Sequence, residues 1–124
     1  MANYPPKSHA QILTILSEHT PEDAEETKDV ATILHFLEHE TSVFGKDNPR
    51  GHITGSALIV DPQNRLLLTF HHKLQRWLQL GGHSDPLETN PAQTAMREAA
   101  EESGLLDLDF HPTFGTDPID IDVH

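Results

Sequence analysis

Cysteine is absent from this 124-residue chain, tryptophan and tyrosine occur once each, and 8 basic residues face 20 acidic ones. Without cysteine there can be no disulfide framework and no Cys-ligated zinc or iron–sulfur site. The formal net charge of −12, with His neutral, is opposite in sign to the basic stripe that marks a nucleic-acid surface, so no nucleic-acid partner is expected. Phosphate substrates stay open, because a divalent cation can bridge an acidic site to an acidic ligand. No apolar run nears the roughly 20 residues a membrane span needs, so no membrane partner is expected. The opening MANYPPKSHA lacks the charged start and apolar core of a signal peptide. These absences together point to the cytoplasm. Hydrophobic residues make up 35% of the chain, a lean supply that suits one domain with a helical preface.

No internal repeat is present. Residues 8–20 carry Ile12, Leu13, Ile15 and Leu16 at helical spacing. A second helix is expected from Thr20 as N-cap, with Pro21 at the first position and Glu22 and Asp23 in the first turn. Its residues Val30, Ile33, Leu34 and Leu37 recur at intervals of three and four and form one apolar face. GKDNPRG, residues 45–51, is a turn-rich break, which divides the chain into a helical segment 1–50 and a domain 51–124. Beyond it, residues 52–60 read as a strand with Ile53, Ala57 and Ile59 on one side. Residues 65–72 read as a second strand closing a hairpin over Asp61-Pro62-Gln63-Asn64. RWLQL (76–80) reads as a short third strand stopped by Gly81-Gly82, and DPIDIDVH (117–124) alternates as a half-buried strand. Strands mixed with helices give an α/β or α+β class.

The chemistry is concentrated in GGHSDPLETNPAQTAMREAAEESGL, residues 81–105. Asn90 suits a helix N-cap, Pro91 the first turn, Gln93 the capping-box position, and Gly104 the left-handed C-cap with Leu105 as its apolar contact. Ala92, Ala95, Met96 and Ala99 form a small-residue face able to pack closely on a sheet. The opposite side crowds Glu98, Glu101 and Glu102 at spacings of three and four. They sit at the negative end of the helix dipole, which disfavours each anion by roughly 0.3–1 kcal/mol. Arg97 is the only cation of that helix. Such an arrangement costs stability unless a hard divalent cation takes up the carboxylates, because Mg²⁺ and Mn²⁺ favour several oxygen ligands in one place. An isolated E-x-x-E-E is more often a solvated face. Here the glycine pair, the loop and two helix caps surround it, and the functional reading prevails.

Residues 82–105 resemble the signature box of the Nudix (MutT-like) hydrolases, G-x5-E-x7-R-E-U-x-E-E-x-G-U with U aliphatic. Gly82, Glu88, Arg97, Glu98, Glu101, Glu102, Gly104 and Leu105 stand at its positions, with small Ala99 at an aliphatic one. The chain departs from the pattern once, with eight residues between Glu88 and Arg97 in place of seven, the extra one assigned to the loop around Thr89-Asn90. The resemblance implies a mixed sheet packed between helices. It further implies a divalent metal, Mg²⁺ or Mn²⁺, held by Glu98, Glu101 and Glu102 with the Gly81 carbonyl. Arg97 and Glu88 would pair to orient the helix, a role Asp85 could share. The reaction implied is water attack on the pyrophosphate linkage of a nucleoside diphosphate joined to another group. Two identities for the base stay open, Glu98 itself or a group from a later loop. The rival readings are a Nudix-fold nucleotide-binding module and an inactive structural fragment.

Other residues invite blander readings. His71-His72-Lys73 reads as a solvated strand end near the cleft, and HFLEH sets His35 and His39 one turn apart without the Glu of the H-E-x-x-H zinc pattern. His83, after the glycine pair, reads either as lining the site or as a purely conformational loop residue; Trp77 is assigned to the core, and Asp120 and Asp122 to the wet face of an edge strand. The 73 residues from His52 to His124 are few for a Nudix domain. The sequence therefore carries the expectation of an incomplete catalytic unit, weak in hydrolysis: either a form truncated at the C-terminus, or one that completes its sheet by pairing with another copy or chain at the open edge.

Overall fold

The computed structural model describes residues 5–124. Residues 1–4, which belong to the opening stretch read above against a signal peptide and to the segment 1–50, lie outside the described residues. A 3₁₀ turn at Lys7–His9 leads into helix α1, Ala10–Glu18, which buries Ile12 and Leu16 one turn apart. Helix α2 runs Ala24–His39. Its start corrects the expected Thr20–Pro21 boundary. The Asp23 carboxylate accepts the Glu26 N–H at 2.8 Å, and the Glu26 side chain reaches back to the Glu22 N–H at 2.7 Å. This reciprocal cap outcompetes a threonine placed three residues earlier.

Ile12, Leu16, Val30, Leu37, Val43 and Phe44 form the buried apolar cluster, with Leu13, Ile33, Leu34, Phe36, Ile53 and Ile121 packed around it. The turn-rich stretch after α2 wraps this core. Asn48 Nδ2 donates to Glu40 Oε1 and to the Ser42 carbonyl, and the Ile53 N–H donates to the Val43 carbonyl at 2.8 Å.

Six short strands follow: β1 Thr54–Ala57, β2 Ile59–Val60, β3 Leu66–Leu67, β4 Thr69–His71, β5 Arg76–Leu78 and β6 Leu80–His83. They pair antiparallel as β1 with β6, β2 with β3, and β4 with β5. The β2–β3 pair is the hairpin over Asp61–Asn64. Asp61 Oδ1 accepts the N–H groups of Gln63 and Arg65, and Asn64 takes a positive φ of 62° to close the turn. With three helices and antiparallel strands in small sheets, the fold is α+β of Nudix type.

Two sequence expectations on strands are corrected. Gly81 and Gly82 do not end a strand: β6 runs through both to His83, with Gly82 opposite Gly55 and Gly81 opposite Ser56. The glycines serve close approach. A Cβ on Gly81 would stand 2.5 Å from Ser56 Oγ, and one on Gly55 would collide with the Pro91 carbonyl of the helix that crosses this ribbon. Residues 117–124 form no strand. The Ile121 N–H, which a ladder would have used, donates to Glu26 Oε2 at 2.9 Å, and Ile121 packs on the helical core. Asp120 accordingly sits beside Glu26 and not on a strand edge; burial pushes its carboxyl up, and the Glu26 carboxylate next to it adds to the rise. Asp122 stays exposed near His124.

Trp77 is also corrected, from core to surface. It is 64% exposed and packs edge-on against Phe70, its cross-strand partner, with ring centroids 5.3 Å apart. Leu58, Val60, Leu66, Leu67, Leu68 and Leu74 share its exposure. His71 ends β4 and His72 opens the β4–β5 turn: His71 Nδ1 accepts the Leu74 N–H, and the His72 carbonyl accepts from Gln75 Nε2. Both histidines are solvent-exposed, one at the end of β4 and the other in the turn that follows.

Candidate active site

The site is built on one helix laid across one ribbon. Helix α3, Pro91–Ser103, is capped by Asn90, whose side chain accepts the Ala92 N–H at 2.9 Å, and begins with proline at its first position. Gly104 ends it at φ 74°, a left-handed conformation that suits glycine, while Leu105 remains 39% exposed. Ala99 and Thr94 are its buried residues, and α3 packs on β1 and β6.

Arg97 is the hub. Its Nε donates to Glu88 Oε2 at 2.7 Å and its Nη2 to Glu88 Oε1 at 2.8 Å, a bidentate pair. Nη2 also donates to the His83 carbonyl at 2.9 Å, tying the helix to the end of β6. Nη1 donates to Glu98 Oε1 at 3.0 Å and to Glu101 Oε2 at 3.2 Å, so one guanidinium nitrogen lies between two carboxylates. Asp85 approaches Nε only to 3.7 Å and is mostly exposed, a secondary charge beside the main pair. Although the spacing exceeds the family pattern by one residue, Glu88 reaches Arg97 with both oxygens.

Glu88 is fixed from three further directions. Its Oε1 accepts the Asp85 N–H at 2.9 Å, its own N–H donates to the Asp85 carbonyl, and the Thr94 hydroxyl lies 3.3 Å from Oε1. The Arg97 hydrogen bonds, with these donors, hold its carboxyl at about 2, far below the ordinary value of 4.5. Arg97 is correspondingly raised above its ordinary value by the same hydrogen bonds to Glu88.

Sequence reasoning missed Thr94 and Ser84. Thr94 is fully buried, Ser84 nearly so, and their hydroxyl oxygens are 3.1 Å apart. With one proton on each hydroxyl, Ser84 can donate to Thr94 while Thr94 donates to the Glu88 carboxylate. The signal was present as a hydroxyl residue three positions before Arg97 and four before Glu98, on the side of the helix that carries the carboxylates.

The remaining carboxylates lie along β6. Glu98 rests on Gly82: a Cβ there would stand 2.7 Å from Glu98 Cδ. Glu102 Oε1 accepts the Gly81 N–H at 2.9 Å. Among the described residues the oxygens of Glu98, Glu101 and Glu102 are not gathered within 4.8 Å of one another. Arg97 Nη1 holds one oxygen of Glu98 and one of Glu101, and the Gly81 N–H holds one oxygen of Glu102. His83 Nδ1 lies 2.7 Å from His52 Nε2, an imidazole pair at the end of β6. Burial, and then the neighbouring His83, pushes the His52 imidazole below its ordinary value.

A helix bearing three carboxylates is locked by an Arg–Glu pair onto a Gly-Gly strand, and the family whose model matches the chain is one of pyrophosphohydrolases. The family profile of the NUDIX domain matches residues 50–122, and the chain belongs to the Nudix family. Members of that family in general hydrolyse nucleoside diphosphate derivatives and use divalent metals. No curated protein matches the chain as a relative. Among the described residues no helix is long and apolar enough to cross a membrane.

Proposed function

We propose that this chain hydrolyses the phosphoanhydride bond of a nucleoside diphosphate linked to another group, with Mg²⁺ or Mn²⁺ as cofactor, in the cytoplasm. The observation that carries the reading is the grouping of Glu98, Glu101 and Glu102 around Arg97 and the Gly81–Gly82 backbone. The donor set fits a hard cation. It consists of carboxylate oxygens on one end of one helix, and two of them already share a positive charge in Arg97 Nη1. Glu98, Glu101 and Glu102 would hold the metal, with the Gly81 carbonyl adjacent. When bound, the metal neutralises phosphate oxygens and lowers the pKa of a coordinated water.

The chain's own residues supply placement. Arg97, anchored by Glu88, keeps the helix end facing β6 and sets the rotamer of Glu98. Gly82, having no side chain, lets the Glu98 carboxylate lie flat on the strand, where it can orient or deprotonate water. The exposed Glu101 and Glu102 face the side from which a nucleotide-type substrate would arrive.

The test is release of phosphate or nucleotide from a panel of diphosphate compounds with Mg²⁺ or Mn²⁺, for the wild type and Glu98→Gln. Metal-dependent turnover lost in the variant supports the reading. Nucleotide binding with no metal-dependent release by the wild type overturns it in favour of a binding module.

A further inference from the structure

The last turn of α2 carries a second group of ligands that the Nudix box does not use. His35, Glu38 and His39 are all solvent-exposed, and one nitrogen of each histidine and one oxygen of Glu38 lie within 4.8 Å of one another. The imidazole rings are 4.1 Å apart at a tilt of 31°. Spacings of three and four put the residues on one helix face, so the backbone sets the chelate with no loop to order. Two ligands each about 2.1 Å from a metal stand at most about 4.2 Å apart, so small side-chain rotations bring these atoms into a coordination sphere.

A tautomer argument adds to the placement. His39 Nδ1 lies 2.8 Å from the His35 carbonyl oxygen. A carbonyl only accepts, so Nδ1 carries the proton and donates it, and Nε2 of the neutral ring keeps the lone pair a metal takes. A backbone carbonyl fixing one ring nitrogen so that the other can ligate is the usual outer-shell arrangement of metal-binding histidines. The site also lies at the C-terminal end of α2, where the helix dipole favours a cation. The nearby Glu40 carboxylate is occupied by Asn48 and Arg50, which leaves Glu38 as the carboxylate of the group.

We infer that His35, Glu38 and His39 form a surface site for a borderline divalent transition cation of the Zn²⁺, Ni²⁺ or Cu²⁺ class, with water completing the coordination. Two imidazoles and one carboxylate select such ions over Mg²⁺, which requires oxygen ligands. The site is therefore chemically distinct from the carboxylates of α3, and metal there would clamp the end of α2.

The test is calorimetric titration of the full chain with Zn²⁺ at pH 7.5 in the presence of excess Mg²⁺, which occupies hard-cation sites. His35→Ala, His39→Ala and Glu38→Gln are compared with wild type, and His52→Ala reports on the other imidazole pair. Losing a ligand should weaken Zn²⁺ binding by at least about tenfold in each histidine variant, and less in Glu38→Gln, with His52→Ala unchanged. Because the three side chains are exposed, circular dichroism should be the same for all variants. Zn²⁺ binding that is absent in wild type, unaltered in both His35→Ala and His39→Ala, or abolished by His52→Ala would overturn the inference.

Discussion

Arg97 grips Glu88 through two parallel hydrogen bonds of 2.7 and 2.8 Å, and the same guanidinium holds the His83 carbonyl and two further carboxylates. One side chain thus joins the loop before α3, the end of β6 and the acidic face of the helix. Because Glu88 receives both guanidinium bonds and a backbone N–H, its charge is built into the folded state.

This charge sets a pH dependence. The folded-state value of Glu88 is about 2, against 4.5 ordinarily. A depressed carboxyl contributes stability that is fully present above the unfolded value and is lost as pH falls from there toward the folded one. Wild type should therefore lose stability between about pH 4.5 and about pH 2 more steeply than Glu88→Gln. Urea midpoints across that range check it; parallel slopes would remove Glu88 from the account.

Metal should stabilise the fold. At a hundredfold excess over Kd, mass action gives about 2.7 kcal/mol. Glu102→Gln should forfeit most of that gain while being slightly more stable without metal, since like-charge crowding is relieved. The Gln carbonyl can still accept the Gly81 N–H, which keeps the local geometry. Thermal melts with and without Mg²⁺ measure both terms, and identical shifts in the two proteins would refute Glu102 as a ligand.

Two glycines of one ribbon should fail differently. At Gly55 an added Cβ meets backbone, the Pro91 carbonyl, which cannot swing aside. Gly55→Ala should cost about 1–3 kcal/mol of stability, as overpacking does. At Gly82 the Cβ meets only the end of the Glu98 side chain. Gly82→Ala should leave the denaturation midpoint nearly unchanged and depress hydrolysis by moving that carboxylate. Equal stability losses would contradict the distinction.

Thr94→Val keeps the shape of a fully buried side chain and deletes its hydroxyl. With Ser84 and Glu88 each losing a partner, the expected loss is about 1–3 kcal/mol. Thr94→Ser should restore most of it, because the hydroxyl returns. A valine variant as stable as wild type would show the hydroxyl chain to be dispensable.

Asn90 both caps α3 and donates through Nδ2 to Gln11 Oε1 of α1 at 2.9 Å. Asn90→Ala should cost about 1 kcal/mol, the usual value of an N-cap. Gln11→Ala keeps the cap intact and removes only the tie to α1, so its loss relative to wild type isolates that contact. Chemical denaturation of the three proteins separates the two contributions.

Local chemistry makes much of this molecule legible from the sequence. The α3 boundaries follow from Asn90, Pro91 and Gly104, whose conformational preferences act within a single turn. The apolar face of α2 and the turn at Asp61 are likewise short-range, as is the spacing that sets the carboxylates on one side of α3. Such features depend on residues a few positions apart, so sequence pattern suffices to determine them.

What only the tertiary structure decided involves partners far apart in the chain. The alternation in residues 117–124 suited a strand, yet Glu26, 95 positions before Ile121, captures the Ile121 N–H, and no ladder forms. Gly81 and Gly82 read as a stop because glycine weakens strands in isolation. They continue β6 because Ser56 and Glu98 require the space a side chain would take. Thr94 gained its role from Ser84 and Glu88, both outside its helix. Trp77 lies at the surface because the cross-strand pairing of β4 with β5 sets it opposite Phe70 on an exposed ribbon. Composition records that a side chain is apolar or acidic; which neighbour covers or binds it is settled by long-range packing.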